Sequence, residues 1–142
     1  MADGYETYRT VDEEANASFV VRSSEFVGHV APAESVDAAE AFVERVGEEY
    51  DNATHNVPAY RVRRGDSTLG GRMVREYSND DGEPSGSAGK PALNVLQERE
   101  LENVVCVVTR YYGGTNLGTG GLARAYGRTA KNAIDAAGVA ER

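Results

Sequence analysis

Between residues 103 and 109 the chain reads Asn-Val-Val-Cys-Val-Val-Thr, with no polar side chain inside the run to turn toward water. Such a run suits a strand covered on both faces, and only a layered fold supplies two covers. It predicts a central strand over 103–109, and the other segments are read as what packs around it.

Two apolar patches, Phe19–Val21 and Phe26–Val30, are split by Arg22-Ser23-Ser24-Glu25, which predicts a long bent strand or a hairpin over 18–31. Ser35 precedes Val36, Ala39, Phe42, Val43 and Val46 at helical spacing, so a helix is expected over about 36–50. Strands are expected over 57–64 and 71–78, joined around Gly65-Asp66. Residues 78–91, rich in glycine, serine, proline and acid, read as a loop, followed by a short helix over 92–100. Five glycines in nine residues, Gly113 to Gly121, predict a second loop. From Leu122 the residues Ala125, Tyr126, Thr129, Ala130, Ala133, Ile134 and Ala137 form one face of a last helix that stops at Gly138. This order predicts an α+β fold, a mostly antiparallel sheet with helices packed on one face. With 142 residues, 40 % of them apolar, one core is expected: residues 1–17 as a flexible N-terminal arm and 18–142 as a single domain.

No apolar run approaches the roughly 20 residues that cross a bilayer, and the acidic N-terminus lacks the pattern of a signal segment, which predicts a soluble, cytoplasmic protein without membrane partners. The one cysteine, Cys106, excludes an internal disulfide and a cysteine cluster for zinc. The net charge of -8 argues against general nucleic-acid binding. Its distribution is uneven. Residues 1–54 carry 13 acids and 3 bases, whereas 55–75 carry five arginines against Asp66 alone. Residues 103–134 contain no acid and hold Arg110, Arg124, Arg128 and Lys131. An acidic chain with two basic segments is expected to present one electropositive face to an anionic partner.

The strongest local signal is Thr-Arg-Tyr-Tyr-Gly-Gly-Thr-Asn-Leu-Gly-Thr-Gly-Gly-Leu-Ala-Arg-Ala-Tyr, residues 109–126. Glycines let backbone N–H groups converge on a ligand, and a helix start adds partial positive charge. The expected anion-binding set is Arg110, Tyr111, Gly113, Gly114, Gly118, Gly120, Gly121, Arg124 and Arg128. The P-loop pattern fails, because no lysine follows Gly118-Thr119-Gly120. A second constellation joins His55 and Asn56 to Asp80, Asp81, Glu83 and Ser85; three carboxylates in four residues suit a divalent cation or acid–base work, or they order a turn by accepting backbone N–H groups. Ser85 and Ser87 lack the frame of a nucleophile elbow, so no catalytic residue is assigned.

Three blocks, Ala-Thr-His-Asn-Val-Pro-Ala-Tyr at 53–60, Asp-Asp-Gly-Glu-Pro-Ser-Gly-Ser-Ala-Gly-Lys-Pro-Ala-Leu at 80–93, and 108–126, closely resemble the signature blocks of the IMPACT family, YigZ-like proteins included, in order and spacing. The resemblance covers roughly 18–137 and implies the ribosomal protein S5 domain 2-like fold. It also implies that His55, Asn56, Tyr60, Arg61, Asp80, Asp81, Glu83 and Ser85 share a surface with the glycine-rich segment. Where the family usually has Cys-Trp, this chain has Val57-Pro58, and Arg22-Ser23-Ser24-Glu25 stands in place of a basic patch. Eukaryotic members resemble regulators of translation in the response to amino-acid starvation. The preferred reading is a non-enzymatic binding module of translation regulation that contacts RNA, the ribosome or a ribosome-associated protein, with no cofactor. The other reading is an enzyme acting on a small phosphorylated or carboxylated substrate, with His55 as acid or base and a divalent cation at Asp80, Asp81 and Glu83.

Overall fold

The valine-rich run forms the centre of a five-stranded antiparallel sheet. The computed structural model describes residues 7–64 and 73–142. Its strands are β1 (Arg9–Val11), β2 (Ala15–Val21), β3 (Ser24–Pro32), β4 (His55–Arg63), β5 (Val74–Ser78), β6 (Val104–Tyr111) and β7 (Val139–Glu141). The helices are α1 (Val36–Glu49), α2 (Gly89–Glu98) and α3 (Gly118–Ala137). The sheet order is β2-β3-β6-β4-β5, with β1 and β7 paired separately.

Side chains alternate across β6, so it needs two covers and receives them. Val104, Cys106 and Val108 face α2 and α3, in a core with Phe26, Val57, Leu96, Leu122, Tyr126 and Ile134. Val105 and Val107 face the other way, toward Phe42 and Val46 of α1 and Tyr60 of β4. The α+β class is as expected, and helices on one face describes α2 and α3. The third helix, α1, takes the opposite face because the second row of β6 valines would otherwise meet water.

The split between the two N-terminal patches is a hairpin. Val21 pairs with Ser24 across a two-residue turn, and Arg22 and Ser23 both have positive φ, 47° and 68°. Turns of that hand match the twist of the flanking strands. Ser35 caps α1 by accepting from the Ala38 N–H at 3.0 Å.

Residues 9–17 are not a loose arm. Arg9–Val11 pairs with Val139–Glu141, and β2 begins at Ala15. Val11 is fully buried in the core, and the Thr10 hydroxyl donates to the Asn103 carbonyl at 3.0 Å. One apolar side chain with a buried place outweighs the polar composition around it. The expected Gly65-Asp66 turn lies outside the described residues. Among them, no helix is long and apolar enough to cross a membrane.

Candidate functional site

Register places the first site residues. Phe26 of β3 and His55 of β4 stand on either side of Arg110 of β6, all on the face covered by α2 and α3. Arg110 is expected from sequence to contact an anion at the edge of the glycine-rich segment. Instead β6 continues through it, and it is only 5 % exposed.

A guanidinium in that position needs a counter-charge, and the loop before α2 supplies one. Asp80 organises that loop: Oδ2 accepts from the Gly86 N–H at 2.9 Å, and Oδ1 from the N–H groups of Ala88 at 3.2 Å and Gly89 at 2.8 Å. Partial burial pushes its carboxyl up, but the three N–H donors outweigh that and hold it below the usual aspartate range. Asp81 accepts from the Asn56 N–H at 2.7 Å, tying the loop to β4. Glu83 is thereby carried inside, with its side chain 3 % exposed.

Glu83 is the hub. Arg110 Nη1 donates to both its oxygens, at 2.8 and 3.1 Å. The Tyr126 hydroxyl of α3 donates to Oε2 at 2.5 Å, and His55 Nε2 lies 3.5 Å from Oε1. Burial, and then the bond to Glu83, push the Tyr126 hydroxyl far above its ordinary value. The remaining Arg110 nitrogens face the Ser24 hydroxyl, at 3.2 and 3.4 Å. Its guanidinium carbon lies 5.6 Å from the centre of the Phe26 ring and 5.4 Å from that of Tyr112. Ser24 Oγ also accepts from the Gly113 N–H at 3.2 Å. A Cβ on Gly113 would come within 2.1 Å of the Ser23 backbone, so only glycine fits that crossing.

These contacts decide what the acids can do. Asp80 is bonded to the start of α2, Asp81 to β4, and Glu83 to Arg110 and Tyr126, so the three do not converge on one cation; among the described residues no group of three His, Cys, Asp or Glu side chains is placed to hold a metal ion. His55 Nδ1 donates to the Asp81 backbone carbonyl at 2.7 Å, which fixes the proton on that nitrogen. Ser87 Oγ donates to the Pro84 carbonyl at 2.6 Å, and Ser85 is exposed. Neither serine is joined to His55 in a nucleophilic relay. The cluster fastens β3, β4, β6, α3 and the loop before α2 to one another.

The second face of the sheet holds a separate polar chain. The Thr109 hydroxyl donates to Asn56 Oδ1 at 2.6 Å, and His29 Nε2 donates to Thr109 Oγ1 at 3.2 Å. Asn56 Nδ2 donates to the Tyr50 carbonyl at 3.0 Å. Asn56 therefore works toward α1, not toward the glycine-rich segment.

The rest of the expected set is divided. Tyr60 is fully buried on the α1 side, stacked 5.2 Å from Tyr77 and donating to Glu40 at 2.7 Å, so it offers no surface for stacking. Its hydroxyl is pushed up to about 12 by burial first and then by the bond to Glu40. Arg61 pairs with Glu76 at 2.8 Å and donates to the Leu101 carbonyl at 2.9 Å. Tyr111 donates to Asn52 at 3.1 Å. Gly113 and Gly114 lie in the loop, and Gly118, Gly120 and Gly121 are in the first turn of α3. A cleft of about 330 Å³ does open there, lined by Glu83, Arg110, Tyr112, Asn116 and the start of α3.

Arg124 and Arg128 have no ion-pair partner among the described residues. They line a larger groove, about 680 Å³, between the β2–β3 hairpin, α2 and α3, together with Arg22 and Lys131. All four are exposed, and none forms an ion pair among the described residues. Arg22, Ser24 and Tyr126 were missed as site residues. A hairpin end and a core-facing tyrosine give no local signal of hydrogen-bond partners 43 to 89 positions away.

The family model of the Impact N-terminal domain matches residues 22–134. The chain is 40 % identical over 136 residues to IMPACT family member YvyE of Bacillus subtilis (strain 168), a match that takes in 96 % of this chain and 59 % of that protein. A crystal structure described as that of a hypothetical protein superposes with a TM-score of 0.82 at 32 % identity, over 96 % of this chain and 64 % of that one. The two-domain translational regulator Yih1 superposes with a TM-score of 0.52 at 22 % identity, over 96 % of this chain and 49 % of that one, a likeness of fold. The chain thus spans about three-fifths of the curated relative it matches. With a matching model over most of its length and that identity, the chain belongs to the IMPACT family, through the family's N-terminal domain.

Proposed function

We propose that this chain is a non-enzymatic binding module of translation regulation, and that it engages RNA, the ribosome or a ribosome-associated protein through the groove bounded by β2, α2 and α3. One observation carries it: in a chain of net charge -8, four cations without ion-pair partners among the described residues gather along one groove. An acidic protein has counter-charges to spare, and two arginines of the other basic segment use them, Arg61 with Glu76 and Arg63 with Glu102. Cations left without partners are the ones free to meet an anionic surface. The fold shared with the translational regulator Yih1 supports the setting. Family membership does not name the partner.

Arg110 contributes to this surface by holding Ser24 and the hairpin in place, and the test variant is accordingly Arg124→Ala with Arg128→Ala. Tagged protein recovered from its own cells should carry ribosomal material or a ribosome-associated protein. The double variant should carry much less at an unchanged melting temperature, and recovery should fall as salt is raised. Equal recovery by the two proteins would refute the assignment. Loss of the partner after nuclease treatment marks it as RNA-borne.

A further inference from the structure

We infer that the groove between β2, α2 and α3 is a docking site for a short acidic amphipathic helix of a partner protein. This rests on the groove being the binding surface, and it deepens that reading by naming what enters.

The apolar part of the lining decides between ligand classes. Phe19, Val21 and Leu117 are half-buried against the core, with Val95 of α2 beside them. Three of these four are aliphatic, and a strand of RNA needs aromatic platforms or base-edge partners that they do not provide. Aliphatic side chains of a partner gain from burial there. The polar part then sets the sign and spacing. Arg124, Arg128 and Lys131 follow one another at i, i+4 and i+7 on α3, Arg22 faces them from the hairpin tip, and among the described residues Glu98 is the single acid in the lining. The stretch of α3 that lines the groove, Gly121 to Lys131, is roughly 15 Å long, the length of about three helical turns. A partner helix with acids on its edge and leucine-sized residues on its inner face matches both features.

Gly127 is the independent observation. It sits within a 20-residue helix, where glycine costs about 1 kcal/mol relative to alanine. Among the described residues nothing requires it: a Cβ would meet Val95 at 3.8 Å and the Pro91 carbonyl at 4.0 Å, both ordinary contacts. It lines the groove. An absent side chain that no internal contact demands leaves room for something arriving from outside.

The test uses fluorescence anisotropy on the full chain with three labelled probes: a helical peptide of three to four turns with glutamates at i, i+4 and i+7 and leucines between them, the same composition scrambled, and a single-stranded oligoribonucleotide. The ordered peptide should bind, and the other two should bind about tenfold more weakly or worse. Gly127→Leu should abolish peptide binding. Gly127→Ala should raise the melting temperature and weaken binding, which a merely structural glycine would not do. Arg124→Gln with Arg128→Gln, which leaves the fold untouched, should weaken the ordered peptide about tenfold. If the ordered and scrambled peptides bind alike, or Gly127→Leu binds as the wild type does, the docking site is refuted. If the oligoribonucleotide binds through Arg124 and Arg128 and the peptide does not, the groove remains the binding surface but the peptide is overturned. If the arginine pair affects none of the three probes, both readings fall.

Discussion

Glu83 and Arg110 show why a charged residue in a signature block need not be a ligand contact. Each is almost wholly buried, and each is tolerable only because the other is there. Removing one partner leaves a buried charge alone, so Glu83→Ala should cost about 3–5 kcal/mol in urea unfolding. Glu83→Leu combined with Arg110→Met should recover most of that, because the cost lies in the orphaned charge. A loss below about 1 kcal/mol in the single variant would mean that water reaches the pair. His29 gives a second test. Burial pulls its imidazole below the ordinary value, against the upward pull of Glu49 and Glu14. As pH falls below about 6.5 the unfolded chain takes the proton before the folded chain does, so this contribution is full above that pH and drains away toward the lowered folded value. The melting temperature should fall from neutral to mildly acidic pH, and His29→Gln should flatten that fall. An identical slope in both proteins would exclude His29 as its cause.

The start of α2 belongs to the scale of elements. Ala88 provides no side-chain cap, and Asp80, nine positions before the helix, does that work. Asp80→Ala should therefore cost about 0.5–2 kcal/mol, measured by hydrogen exchange in α2 and by urea midpoint. Because its folded carboxyl titrates low, Asp80 stabilises above the ordinary aspartate range and loses that effect as pH falls through the folded value. An Asp80→Ala protein as stable as the wild type at neutral pH would remove it as the cap. Elements of this molecule were legible from sequence where one segment contained its own reason. The valine run could be only a doubly covered strand, and Ser35 with the apolar stripe behind it could be only a helix start. Elements fixed by distant residues were not. Three glycines argue against a helix, yet α3 begins at Gly118 because Leu122 and Tyr126 are already held by the core. Thr10 and Val11 are strand because Asn103 and the far terminus receive them. In the site the same division holds: the placing of Arg124, Arg128 and Lys131 on one face of a helix was legible in their spacing, whereas the pairing of Arg110 with Glu83 spans 27 positions and leaves no trace in either neighbourhood.

At the scale of the molecule, charge is segregated twice over. Acids dominate in number and several arginines pair with them, Arg61 with Glu76, Arg99 with Asp135 and Arg110 with Glu83, while Arg22, Arg124, Arg128 and Lys131 line the groove between the hairpin, α2 and α3. Long-range repulsion of other polyanions and short-range attraction at one surface coexist, which favours a partner held by close complementary contact over diffuse adhesion. Salt therefore acts in two directions. It screens the general repulsion while weakening the local pairing, and a bound complex should fade less steeply with salt than one made by phosphate contacts alone.

The most direct measurement is co-sedimentation of the chain with ribosomes purified from its own cells, comparing the wild type with Arg124→Glu, Arg128→Glu. The groove predicts that charge reversal lowers the bound fraction by about tenfold while the melting temperature stays the same. Equal sedimentation of the two proteins, or loss of binding in step with loss of the fold, would contradict it.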